Sequence, residues 1–326
     1  MPENAIFRLS SLTKPIVSAA ALALVEHGQL KLNDAVTKWI PEFQPPLPDG
    51  SRPEIIIREL LKHTAGLGYG FLEPEDGPYH KANVSDGLDQ PGLSIEENLK
   101  RIASVPLAYQ PGTSWGYSIA ADVVGEVLAR AGNSSLPDVV RCFVTTPLEM
   151  SDTGFAVTDP SRLAVPYADG SPSPVRMGIL ESVKLGYGPG SIRFAPSRVF
   201  DPLSYPSGGC GMVGTAADFS KFLEALRTGG SPILSLQSVR AITTDRTGGL
   251  GPGPGIAFGF GLSVITDPAQ ALTPQSAGTF AWGGVYGHSW FVDPAKRLTV
   301  VVLTNTAVEG MTQFPTQIRN AIYASL

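Results

Sequence analysis

Ser11 and Lys14 stand three residues apart in the stretch FRLSSLTKP, residues 7–15, and this spacing is where chemistry can first be read. Positions i and i+3 share one face of a helix, so a hydroxyl and an ammonium so spaced can meet. A helix N-terminus also favours negative charge that develops there. A serine hydroxyl becomes a nucleophile when a neighbouring base takes its proton, and a buried lysine, or a group it activates, supplies one. Taken alone, S-x-x-K equally describes a capping serine beside a solvated lysine. A second candidate is Ser114 in Gly112-Thr113-Ser114-Trp115-Gly116, which matches the G-x-S-x-G nucleophile pattern. That pattern needs a buried strand directly before the serine, a helix directly after it, and then an acid and a histidine downstream. The segment before Ser114, SVPLAYQPG, carries Pro106 and Pro111 and makes a poor central strand. Ser114 is therefore read as a turn residue in a chance match. His288 is a rival base by residue type, but it precedes Ser289-Trp290 in a strand-like run and reads as a turn or packing residue.

The elements that must position these groups follow from periodicity and punctuation. TKPIVSAAALALVEH, residues 13–27, predicts a helix with Pro15 in its first turn and Gly28 at its end. A second helix is expected over 54–62, closing at HTAGLGYG, and residues 72–92 form an aperiodic, acidic excursion. Helical patterning returns over 95–104 and over 119–131, where Val123, Val124, Val127 and Leu128 make one apolar stripe that Gly132 stops. Residues 157–206 are mostly turn-forming. Thr215 or Asp218 then caps a helix containing FSKFLEAL. After residue 255, the runs FGFGLSVI, TFAWGGVY, HSWFVD and LTVVVLTN predict consecutive antiparallel strands, and a last helix is expected over 316–324. Helices first and a strand meander later indicate an α+β architecture, not a βαβ series.

The composition narrows the function classes. The chain has 326 residues, 43% hydrophobic and 16% charged, which is ordinary for a folded globular protein. A formal net charge of −5 without a run of Lys or Arg argues against nucleic acid as a partner. The longest apolar stretch, near Ile16–Val25, is too short to span a bilayer, so no membrane partner is expected. No secretory leader stands at the N-terminus, which gives a cytoplasmic expectation. Cys142 and Cys210 are expected as unpaired thiols, and the four histidines are scattered, so neither a metal nor an organic cofactor is predicted.

Four segments in order carry a resemblance. FRLSSLTKP before an alanine-rich helix resembles the nucleophile region of the serine β-lactamase and penicillin-binding-protein superfamily. LLKHTAGL, residues 60–67, and PGTSWGYS, residues 111–118, resemble landmarks of its class C and esterase branch. GGVYGHSWFVDP followed by LTVVVLTN resembles that superfamily's core strands. The nearest likeness is to the family VIII carboxylesterases, and it extends from about Phe7 to the C-terminus. The resemblance implies a β-lactamase/transpeptidase-like fold. A mixed domain of residues 1–50 and 210–326 would hold an antiparallel sheet flanked by helices, and residues 51–209 would form a mainly helical domain with long loops. It implies acylation of Ser11, with Lys14 and the Tyr117 of Tyr117-Ser118-Ile119 completing a triad. It further implies an oxyanion hole from the backbone N–H groups of Ser11 and Val285. Trp282-Gly283-Gly284 stands where the β-lactamases have K-T-G, and its two glycines let a substrate lie against the strand backbone.

Departures from the pattern refine the expectation. Trp282 replaces the lysine that would meet a substrate carboxylate, and Ile119 replaces an amide, so a pocket containing Trp282 and Tyr69 suits uncharged acyl or alcohol groups. The expected activity is hydrolysis of short-chain carboxylic esters, acetyl esters among them. β-Lactamase, D-amino-acid peptidase or acyltransferase work by the same triad is the alternative. A non-catalytic penicillin-binding-like module or an inactive fragment is the alternative of another class. Family members carry several tens of residues before the S-x-x-K helix and this chain has ten, so the N-terminal part of the usual fold is expected to be missing or replaced. A homo-oligomer that completes the sheet is one such replacement.

Overall fold

The computed structural model describes residues 1–170, 172–186 and 188–326. Its centre is a helix that is apolar on every side. After a 3₁₀ turn at Ser10–Leu12, helix α1 (Thr13–Glu26) is buried from Thr13 to Leu24, and such a helix must lie inside a protein. After it in the chain come α2 (Val36–Trp39), α3 (Ile57–Leu61), α4 (Pro78–Lys81), α5 (Ile95–Ser104), α6 (Ala120–Ala131) and α7 (Leu136–Val140), of which α6 and α7 pack against α1. Helix α6 packs against α1, and Val123, Val124, Val127 and Leu128, the stripe read from the sequence, are all buried. Helices α8 (Ala216–Arg227), α9 (Leu236–Thr243) and α10 (Phe314–Ala324) complete the set. At the start of α8 the Thr215 side chain accepts from the Asp218 amide, so Thr215 is the cap and Asp218 lies inside the first turn.

Among the described residues the strands fall into one large sheet and three short pairs. Strand β1 (Phe7–Arg8) leads into the Ser10 turn and pairs with β6 (Val213–Gly214). Between them in sequence lie two hairpins, β2 (Tyr167–Ala168) with β3 (Val175–Arg176) and β4 (Glu181–Lys184) with β5 (Ser191–Phe194). The region read as mostly turn-forming thus holds four short strands among its described residues. The expected meander is present as β7 (Ile256–Phe258), β8 (Ser263–Ile265), β9 (Phe280–Gly284), β10 (His288–Asp293) and β11 (Leu298–Val302), antiparallel in the order β11-β10-β9-β8-β7.

Register decides which residues this sheet buries. Trp290 pairs with Trp282 and Val292 with Phe280, so these four share one face. Trp290 meets the Phe219 ring of α8 at 5.6 Å and the Phe280 ring at 6.3 Å there. The opposite face carries Phe291, Ser289, Val300 and Val302 beneath α10. On β9, strand β8 pairs with Phe280 and Ala281, so that side of β9 is free of β8 from Trp282 to Gly284.

Candidate active site

The nucleophile candidate sits at a strained corner. Ser10 has φ +45°, a left-handed conformation that costs a non-glycine residue, and this bend turns the chain from β1 into the 3₁₀ turn and α1. Ser11 follows it, buried at the mouth of α1, and Lys14 lies one helical turn on and is 1% exposed. The Lys14 ammonium donates to Ser11 Oγ at 3.1 Å and to the carbonyl of Gly209 at 3.0 Å. From the other side the Tyr117 hydroxyl donates to Ser11 Oγ at 2.7 Å. Three groups named from the sequence therefore meet at one oxygen.

Aromatic packing fixes the tyrosine. His63 Nδ1 and the Ser118 hydroxyl are 3.0 Å apart, and the His63 ring lies 5.0 Å from that of Tyr117. Tyr69 and Trp282 flank the same ring, each at 5.1 Å, and Trp282 Nε1 donates to the Tyr117 oxygen at 3.4 Å. The Lys14 ammonium lies 4.8 Å from the Tyr117 ring centre, within range of a cation–π contact.

Burial pushes Lys14 down, but the neighbouring Tyr117, Cys210 and Asp122 outweigh it and the net shift is upward. The net direction favours the ammonium form of Lys14, which donates to both oxygens. His63 is pushed well below its ordinary range by burial and by the Lys14 charge. Burial likewise lowers His288 to about 4, and its Nε2 bonds the Arg8 carbonyl at 2.9 Å, which ties β10 to β1. His288 does not face the cavity, so it is a packing residue as expected.

Ser11 opens onto a cavity of about 610 Å³. Its near walls are Phe71, Leu72, Trp115, Tyr117 and the free edge of β9 from Trp282 to Gly284; its far end runs beneath α10 past Phe291, Val300 and Arg319. A Cβ at Gly284 would lie 2.5 Å from Ser10 Oγ and 2.9 Å from the Leu9 carbonyl, so glycine is required where the strand meets the Ser11 turn. Val285 follows it beside Ser11, and its amide has no acceptor among the described residues.

One expectation is corrected. Tyr69 is 2% exposed and does not line the cavity; it stacks behind Phe71 at 4.4 Å, and Phe71 and Leu72 form the wall in its place. The turn in HTAGLGYG aims Tyr69 at Lys14, whose ammonium lies 5.3 Å from its ring centre. Ser114 lies in a loop with no strand before it and does not line the cavity. The sequence reading missed Phe71, Leu72 and Trp115 as walls and Gly209 as the Lys14 acceptor. The run Gly208-Gly209-Cys210-Gly211 was the available signal, because clustered glycines mark a close backbone approach. Among the described residues no cluster of His, Cys, Asp and Glu could hold a metal ion, and no helix is long and apolar enough to cross a membrane.

Residues 1–322 match the family model for beta-lactamases. Over 330 residues the chain is 49% identical to esterase EstB of Burkholderia gladioli, covering 99% of this chain and 83% of that protein. It superposes with a TM-score of 0.91 on EstCE1, a hydrolase with promiscuous acyltransferase activity, at 44% identity, covering 99% of this chain and 86% of the other. It superposes on the simvastatin synthase LovD from Aspergillus terreus with a TM-score of 0.74, covering 100% of this chain and 85% of the other. At 20% identity that last likeness is one of fold.

Proposed function

This chain belongs to the beta-lactamase family, and within it we propose that it is a serine hydrolase of carboxylic esters working through an acyl-enzyme on Ser11. The observation that carries the reading is the convergence of Tyr117 at 2.7 Å and Lys14 at 3.1 Å on one buried serine oxygen that faces an apolar cavity. In the reacting form the Tyr117 oxygen is a phenolate beside the Lys14 ammonium; Ser11 Oγ attacks the ester carbonyl as its proton passes to that oxygen, with the ammonium stabilising the negative charge between them. The carbonyl oxygen, now an anion, is held by the amides of Ser11 and Val285. Collapse of the tetrahedral state breaks the bond to the alcohol oxygen, which takes the proton from Tyr117. Water then attacks the acyl-enzyme, gives its proton to Tyr117, and the acid leaves as Ser11 is re-protonated.

Trp282, in contact with Tyr117 and standing where a lysine would meet a carboxylate, supports uncharged esters over β-lactams as substrates. The cavity has room for an acyl group and an acceptor alcohol together, which supports acyl transfer as a secondary activity, of the promiscuous kind found in EstCE1. We extend the reading to self-association through the free edge of β11, the outermost strand of the sheet.

Fluorophosphonate labelling followed by mass spectrometry of the peptides tests activity and nucleophile together. The expected result is one adduct on Ser11, hydrolysis of p-nitrophenyl acetate far above that of nitrocefin, and loss of both adduct and hydrolysis in Ser11→Ala. A folded Ser11→Ala protein that kept full ester hydrolysis would sink the proposal.

A further inference from the structure

Asp122 is 1% exposed, stands on α6 five residues after Tyr117, and has no ion-pair partner within 4 Å among the described residues. A carboxylate so placed is costly unless donors surround it. Three do: the Ser207 hydroxyl donates at 2.6 Å, the Gly209 amide at 2.7 Å and the Tyr205 hydroxyl at 2.9 Å. The Gly209 carbonyl in turn accepts from the Lys14 ammonium at 3.0 Å. One residue, Gly209, thus links a buried carboxylate on its N–H side to a buried ammonium on its C=O side.

The fit around Gly209 is tight. A Cβ there would sit 3.0 Å from the Tyr69 oxygen, 3.1 Å from Asp122 Oδ1 and 3.4 Å from Lys14 Nζ. The carboxylate and the ammonium are therefore close neighbours across a thin layer of backbone, in surroundings where charges act strongly.

We propose that Asp122 is a positioning residue of this site, which through Gly209 aims the Lys14 ammonium at Ser11 and keeps it charged, leaving Tyr117 as the base. This rests on the reading of Ser11, Lys14 and Tyr117 as the reacting groups.

The other titratable groups facing this centre do not take over the role. Tyr69, Tyr205 and Cys210 are pushed up by burial and His63 is pushed down by burial and the Lys14 charge, and none of them is joined to Lys14 through Gly209 as the carboxylate is. Asp86 is pushed up to about 8 by burial and then by Asp89, and its oxygens accept from the Gly70 and Phe71 amides at 3.0 Å each, not from the Gly209 turn. Burial raises Asp122 as well, against the pull of its three donors and the Lys14 charge. Two of those donors are hydroxyls free to turn toward a carboxylate, and together the three favour the ionised form.

The test is the pH profile of kcat/KM for p-nitrophenyl acetate in Asp122→Asn. The working Lys14–Tyr117 pair carries one proton fewer than its acid form and one more than its alkaline form. Removing a nearby negative charge disfavours each added proton, so both limbs of the bell move to lower pH, by roughly one unit. A purely structural role would lower the bell and leave its limbs in place, and that result overturns the proposal. Asp86 is present in both proteins and cancels in the comparison. Should the variant not fold, a neutron structure of the wild type at neutral pH decides the same question. Three deuterons on Lys14 Nζ and none on Asp122 support the assignment; a deuteron on Asp122 overturns it. A fluorophosphonate adduct elsewhere than on Ser11 would remove the hydrolase reading, an outcome distinct from unmoved limbs.

Discussion

The Ser11 oxygen receives two donors that arrive by different routes, and the routes decide what their loss does. Lys14 comes from the first turn of α1, directly after the turn that holds Ser11, so its distance is set by local helical geometry; Tyr117 comes from a loop and is held by ring packing. Tyr117→Phe keeps that packing against His63, Tyr69 and Trp282 and removes only the oxygen that takes the proton. Turnover of p-nitrophenyl acetate is expected to fall about a hundredfold or more, the scale of a lost general base, with an unchanged circular dichroism spectrum. Near-normal turnover would move the base to Lys14. The same contrast explains what the sequence disclosed: an i, i+3 pair is local and visible at once, whereas Tyr117 became visible through its motif. Asp122 was hidden, because an acid one residue before an apolar stripe reads as a solvated helix face. Tyr69 was misplaced because an aromatic in a glycine-rich turn gives no sign of which side of the wall it takes.

At the level of elements, the long helices and the final meander were legible because each carries its own period and its own stops. Val123, Val124, Val127 and Leu128 mark α6 without any knowledge of α1. The strands β2 to β5 are two to four residues long, too short for alternation to show, and they pair only because the surrounding loops bring them together. Histidine at the start of β10 belongs to this scale, because it joins two elements nearly the whole chain apart. His288 is neutral in the fold, lowered by burial to about 4 from an ordinary 6.5. Between those values the unfolded chain binds a proton that the folded chain refuses, so stability is lost as pH falls from about 6.5 towards 4. Two to three units at about 1.4 kcal/mol each give a loss of about 3 kcal/mol from this residue. His63, lowered in the same direction, adds to it. Urea unfolding midpoints at pH 7.5 and 4.5 are expected to differ strongly in the wild type and less in His288→Gln. An equal difference in both proteins would acquit His288.

For the molecule as a whole, the sheet ends on one side in an unguarded strand. Leu298-Thr299-Val300-Val301-Val302 is the outer edge, half exposed along its length, and among the described residues its backbone ladder runs to β10 alone. Edge strands of stable monomers are usually blunted by charge, proline or a bulge, and this strand contains neither a charge nor a proline. The closest guards, Lys296 and Arg297, sit in the turn before it. Two copies pairing antiparallel about Val300 would set Leu298 against Val302 and Arg297 against Leu303, so no like charges meet and the two sheets join into one. The expected outcome is a dimer whose fraction grows with concentration in sedimentation equilibrium. Val300→Lys places two ammonium groups opposite each other at the centre of that pairing, where like charges destabilise. It should return the protein to a monomer at every concentration where the wild type pairs. A wild type that stays monomeric throughout, or a Val300→Lys variant that pairs as well as its parent, would show that this edge is not the contact.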